Sequence, residues 1–140
     1  MNVFAILILM IFLHIVDDFY LQGILAKLKQ KSTWQNSSET ESYKDLCDKD
    51  HIAALIIHSI SWSTVILLPI LFIYKLNPPL VIYILYFVNI IVHAIIDHLK
   101  ANLKAINLCQ DQCVHLIQIV LTWLIWLLVV YIKSIGFMVG

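Results

Sequence analysis

Residues 80–97 read LVIYILYFVNIIVHAIID. The stretch is almost unbroken aliphatic and aromatic until a histidine appears and, four residues later, an aspartate. Its length fits the roughly 20 residues that a helix needs to cross a bilayer core. A helix is also the form in which one open segment satisfies all its own backbone amides in lipid. His93 and Asp97 stand four apart and so share one face of that helix. Ionisable groups inside a span are costly, and they mark a functional site by default. The stretch therefore speaks to fold and chemistry together.

Outward from it lie three more apolar runs: Met1–Val16, continuing through Asp17–Leu21, then Ile52–Tyr74 and Val114–Ile132. The spacing predicts helices over 1–25, 51–75, 79–100 and 111–134. The expected fold is all-α, a polytopic bundle of four transmembrane helices forming a single domain over 1–140. Composition agrees: 61% of residues are apolar and 13% charged, against about 45–50% and 25% in an ordinary soluble domain. The first run has no basic start and no small-x-small cleavage site, so it reads as a mature helix rather than a signal peptide. Formal net charge is zero and no arginine occurs. Neither nucleic-acid binding nor a guanidinium phosphate clamp is therefore expected. The cysteines, Cys47, Cys109 and Cys113, read as reduced thiols rather than a disulfide framework. A thiolate role for Cys109 and Cys113 stays open.

Between the runs, Lys27–Asp50 is polar and mixed in charge, and it reads as one aqueous loop whose first turn extends helix one. Asn77-Pro78-Pro79 marks a tight hairpin, Pro69 is a candidate kink, and Ala101–Gln110 is a short connection. Lys27, Lys29, Lys31, Lys44, Lys49, Lys100 and Lys104 fall on one side, and Lys75 and Lys133 on the other. The positive-inside rule then places the loop 27–50 in the cytoplasm and both termini outside a cell inner membrane.

The candidate chemistry follows from three i, i+4 pairs: His14 with Asp18, His93 with Asp97, and Asp111 with His115. The order reverses in the last helix, which runs the opposite way, so the histidine is the deeper residue each time. His58 in the second helix falls at a similar depth, roughly 7–12 Å below the cytoplasmic ends at about 1.5 Å per residue. Imidazole and carboxylate are ligands for zinc, manganese, iron and related divalent ions. The expected ligand set is His14, Asp18, His58, His93, Asp97, Asp111 and His115, for one or two ions. Asp18 and Asp97 are the candidate catalytic bases. Gln22, Asn89, Gln112 and Lys100 are expected to orient the ligands, with Lys100 placed to pair with Asp97. For Asn89, Gln118, Thr122 and His98, ordinary interhelical bonding is the stronger expectation. Asp17 lies about 100° off the His14–Asp18 face and is expected to face the solvent interface. Trp62, Trp123 and Trp126 read as packing or interfacial belt residues.

The ordered pieces HIVDDFYLQ (14–22), His58, HAIIDHLK (93–100) and DQCVH (111–115) resemble the domain-of-unknown-function family 3307, small integral membrane proteins of bacteria and phages. The resemblance spans all four predicted helices and implies a small polytopic membrane protein without an established activity. Members often show a second histidine just after the one in helix two; here that stretch is Ser59-Ile60-Ser61-Trp62, and His51 is the nearest substitute. Three functions are in play. The first is a metal-dependent hydrolase at the cytoplasmic interface acting on an anionic lipid or phosphoester. The second is a metal-ion or proton transporter. The third is a non-enzymatic interaction protein that docks through the loop. A unit this short leaves room for pairing with a second copy.

Overall fold

A computed structural model describes residues 2–35 and 49–139. Among the described residues the structure is helical, without strands. Helix α1 spans Val3–Val16 and passes into a π-helical turn at Asp17–Leu21. Short helices α2 (Leu25–Leu28) and α3 (Lys31–Gln35) follow. The long helices are α4 (Asp50–Ile73), α5 (Leu80–Ala101) and α6 (Leu108–Val139). Four segments are long and apolar enough to cross a membrane: Val3–Leu21, Asp50–Ile73, Leu80–Ala101 and Leu108–Ile135. Their outward faces carry Phe4, Ile8, Phe12, Ile84, Phe87, Leu121 and Leu128, all exposed. So broad an apolar girdle suits hydrocarbon and would be a liability in water.

Each boundary has a local cause. Asn2 caps α1, its Oδ1 accepting from the Phe4 amide at 3.0 Å. Gly23, at φ +46°, supplies a left-handed step that ends the first span. The predicted helix over 1–25 therefore stops at Leu21, and the chain turns into α2 and α3 instead of extending helix one. Helix α4 runs unbroken through Pro69. Lys75 and Leu76, both at positive φ, turn the chain toward Pro79, which precedes α5. Helix α6 starts at Leu108, three residues before the predicted 111.

Part of the expected loop is built rather than open. Trp34 Nε1–H donates to the Leu28 carbonyl at 2.8 Å, and the Lys31 amide donates to Asn102 Oδ1 at 2.7 Å. The first bond folds α3 back on α2, and the second ties it to the end of α5. Residues 36–48 of the expected loop 27–50, Cys47 with them, lie outside the described residues.

Helix α4 packs against α1 and α5, and α6 closes the bundle against the same two helices. The interior divides along its length. One end is filled by Ile6, Met10, Ile66, Leu67, Ile70, Ile82, Leu85, Ile119, Trp123 and Trp126. The other end is filled with histidines and aspartates, and Trp62 stands at the boundary between the two.

Candidate metal centre

All seven side chains expected as ligands are buried at the same end of the bundle. Asp18 is the most exposed, at 8%, while His58, His93, Asp111 and His115 are at 0%. They do not form one uniform shell. Two trios place a donor atom of every member within 4.8 Å of the others: Asp18–His58–His93 and His93–Asp97–His115. His93 belongs to both.

The separations inside this cluster are informative. His58 Nε2 stands 3.4 Å from Asp18 Oδ1 and 3.5 Å from Asp97 Oδ2. His93 Nε2 is 3.8 Å from Asp97 Oδ2. His115 Nε2 is 3.6 Å from Asp97 Oδ1 and 3.4 Å from Asp111 Oδ1. Hydrogen bonds of this kind close at about 2.7–3.2 Å. Two ligands about 2.0–2.1 Å from a shared ion, at a tetrahedral angle, lie about 3.3–3.4 Å apart. Both ring nitrogens of His58, His93 and His115 lack a hydrogen-bond partner, as do Asp18 Oδ1 and Asp111 Oδ1. Buried polar groups are almost always partnered, so this donor set fits a divalent cation.

The same acids are pinned by further donors, Asp97 at the oxygen that also faces His58 and His93, and Asp18 and Asp111 at their other oxygens. Lys29 Nζ donates to Asp97 Oδ2 at 2.6 Å, and Lys100 Nζ to Asp111 Oδ2 at 2.5 Å. Lys100 thus pairs with Asp111 and not with Asp97, because α6 brings Asp111 against the last turn of α5. Gln112 Nε2 donates to Asp18 Oδ2 at 2.9 Å and to Asp111 Oδ2 at 3.1 Å. The amide oxygen of Gln112 faces His14 Nε2 at 3.1 Å, and Trp62 Nε1–H donates to His14 Nδ1 at 2.8 Å. Every donor in this chain has one consistent direction. With Nδ1 accepting, His14 carries its ring proton on Nε2 and gives it to Gln112. Both nitrogens of His14 are therefore occupied, and in this arrangement it orients Gln112 and Asp18 rather than offering a lone pair.

Other expected residues fall elsewhere. Gln22 donates to the Asp18 carbonyl, bracing the π turn rather than touching a donor side chain. Asn89 bonds Thr122 and Gln118 and joins α5 to α6. His51 stacks on His98, ring centroids 6.4 Å apart, and is in neither trio. Cys109 and Cys113 are exposed on α6, away from the interior.

Three participants were not anticipated in these roles. Asp17 is fully buried: its Oδ1 accepts from the Ser61 hydroxyl at 2.8 Å, and its Oδ2 lies 3.7 Å from His58 Nδ1. The π turn is the reason. Its i→i+5 bond, Gln22 N–H to the Asp17 carbonyl at 3.0 Å, rewinds the helix so that consecutive aspartates both turn inward. Lys29 was read only as a loop charge. Trp62 packs as expected, but it also stacks on His93 with centroids 4.2 Å apart and bonds His14.

A cleft of about 560 Å³ opens beside the cluster, lined by Lys31, Lys49, His51, His98, Asn102 and Lys104 among others; none of the donor residues lines it. Comparison with known proteins finds no matching family model, curated protein or solved structure.

Proposed function

We propose that this chain is an integral membrane protein that binds a divalent metal ion at the cytoplasmic end of its bundle and uses it to hydrolyse a phosphoester or lipid-linked substrate. One observation carries the reading: three fully buried imidazoles have no hydrogen-bond partner yet stand 3.4–3.8 Å from carboxylate oxygens. Zinc, manganese and iron all suit a mixed imidazole and carboxylate set.

Such an ion, when bound, supplies Lewis acidity and a water activated near neutral pH. The chain's residues supply the rest. Asp97 faces three imidazoles and is held by Lys29, whose side chain is 11% exposed. Lys29 fixes the Asp97 carboxylate beside those imidazoles, where it can accept a proton. Asp18 sits at the most accessible corner of the cluster, its geometry fixed by Gln112. In the adjoining cleft, Lys31, Lys49 and Lys104 provide the positive potential that draws an anionic head group. The excess of lysines around this end supports a cytoplasmic orientation with both termini outside.

A transport reading has to move an ion past Ile6, Met10, Ile66 and Ile119, all buried in the packed apolar end. That layer favours a site open to one side only.

The test is elemental analysis of the purified protein in detergent, followed by phosphoester and lipid-hydrolysis screens with and without chelator. Retained metal and chelator-sensitive turnover support the reading. Metal-free protein with chelator-insensitive behaviour ends it.

A further inference from the structure

We infer that the centre takes a single divalent cation, seated in the Asp18–His58–His93 trio, and that Lys29 and Lys100 stand in electrostatically for a second ion on the Asp97–Asp111 side. This deepens the metal reading above and rests on it.

The first argument is the shared ligand. His93 is a member of both trios. A neutral imidazole offers one lone pair, its other nitrogen carrying the proton. It can therefore complete one trio at a time.

The second argument is charge. Four buried acids face the imidazoles: Asp17, Asp18, Asp97 and Asp111. Asp97 and Asp111 each already hold an ammonium, at 2.6 and 2.5 Å. Asp17 and Asp18 are held only by neutral donors, the Ser61 hydroxyl at 2.8 Å and the Gln112 amide at 2.9 Å. Two negative charges are left uncompensated, and both lie against His58. One divalent ion there brings the cluster to neutrality. A second would leave an excess of two positive charges inside the bundle, where buried charge is strongly disfavoured.

The third argument is the polarity of the His58 ring. Its Nδ1 faces Asp17 Oδ2 at 3.7 Å and its Nε2 faces Asp18 Oδ1 at 3.4 Å. A ring protonated at Nδ1 toward Asp17 presents its lone pair at Nε2 to the ion. This is the carboxylate–histidine–metal relay that orients metal-bound imidazoles elsewhere. Asp17 is thus a positioning residue, and Asp97 stays beside the ion as a proton acceptor.

The experiment is metal stoichiometry and site location on the full-length protein in detergent. The protein is loaded with Zn²⁺ or with Mn²⁺ alone and freed of excess by gel filtration. One ion per chain is expected, and two overturn the inference. None at all defeats the metal reading itself, which keeps the two failures distinct. Asp18→Asn and His58→Gln are expected to weaken binding on the order of 100-fold, with Asp111→Asn and His115→Gln changing it less than tenfold. The reverse ranking overturns the assignment. Should any variant fail to fold, the anomalous-scattering position of Zn²⁺ in crystals of the unmodified chain decides: beside His58 supports the inference, and beside His115 overturns it.

Discussion

Two buried polar clusters sit one helical turn apart on the same pair of helices, and they are built in opposite ways. Asn89 of α5 meets Gln118 and Thr122 of α6 through bonds of 2.7 and 3.0 Å, and Thr122 closes the set by donating to the Gln118 carbonyl at 2.8 Å. One turn along, His93 of α5 and His115 of α6 have no hydrogen-bond partner at any ring nitrogen. The first cluster is nearly complete on its own, with only Gln118 Oε1 unpartnered. The second is arranged around something it does not itself supply. Burial and polarity are common to both, so neither property distinguishes interhelical bonding from a ligand site. The separations do: 2.7–3.2 Å in one, and 3.4–3.8 Å between imidazole and carboxylate in the other.

The sharpest way to break the comparison is His93→Ala, because His93 alone belongs to both trios. Bound metal is expected to fall from stoichiometric to undetectable, a loss of affinity on the order of 100-fold or more. In the unmodified protein, chelation is expected to lower thermal stability, by about 4 kcal/mol if the free ion had stood a thousandfold above its Kd. In His93→Ala the chelator is expected to change nothing. An alanine variant that keeps its metal, measured by elemental analysis after gel filtration, removes the distinction between the clusters.

Asp17→Asn sharpens it. The amide keeps the size and, with its one oxygen still accepting from Ser61, turns an NH2 group toward His58 Nδ1 where a carboxylate oxygen stood, so it removes both the charge and the acceptor for that ring. Loss of such an orienting carboxylate costs about 10–100-fold in metal affinity, or about 1.4–2.7 kcal/mol. Competition against a chromophoric chelator reads this directly. Unchanged affinity would assign Asp17 to helix packing alone.

The contrast between these residues also shows what the amino-acid order could reveal. The pairs His14–Asp18, His93–Asp97 and Asp111–His115 are visible because a regular helix puts i and i+4 on one face. Their common depth follows from counting turns from the ends. Asp17 was hidden because the π turn breaks that rule at the one place where it mattered. Lys29 was hidden because its partner lies 68 residues away, and no periodicity encodes such a contact. Lys100 was assigned to the nearer Asp97, since local spacing outranks a helix whose approach only the fold determines. His14 was legible as a site residue, but its role depends on Trp62 and Gln112, which come from two other helices. The four apolar spans were the most legible feature of all, because length and hydropathy are local quantities.

A smaller effect is expected from Trp62→Phe. The ring keeps most of its packing against His93 and loses the N–H that fixes His14. An acceptor left without its donor inside the bundle costs about 1–2 kcal/mol. Metal affinity is expected to move less than in Asp17→Asn, because His14 is hydrogen-bonded to the trio through Gln112, its own Nδ1 lying 3.9 Å from Asp18 Oδ2. Chemical unfolding in mixed micelles measures the stability change, and the chelator competition measures the other. A larger loss of metal than of stability would place His14 among the ligands after all.

The smallest effect belongs to the completed cluster. Asn89→Ala removes the acceptor for Gln118 and the donor to Thr122. Buried interhelical hydrogen bonds in membrane proteins contribute about 0.6 kcal/mol on average, and up to about 1.7. The reason is that partners cut loose in lipid find others: Thr122 still donates to the Gln118 carbonyl. Metal content is expected to stay unchanged, although Asn89 sits one turn from His93 on the same face of α5. If Asn89→Ala releases the ion as readily as His93→Ala does, the two clusters act as one unit, and the difference in their separations has lost its meaning.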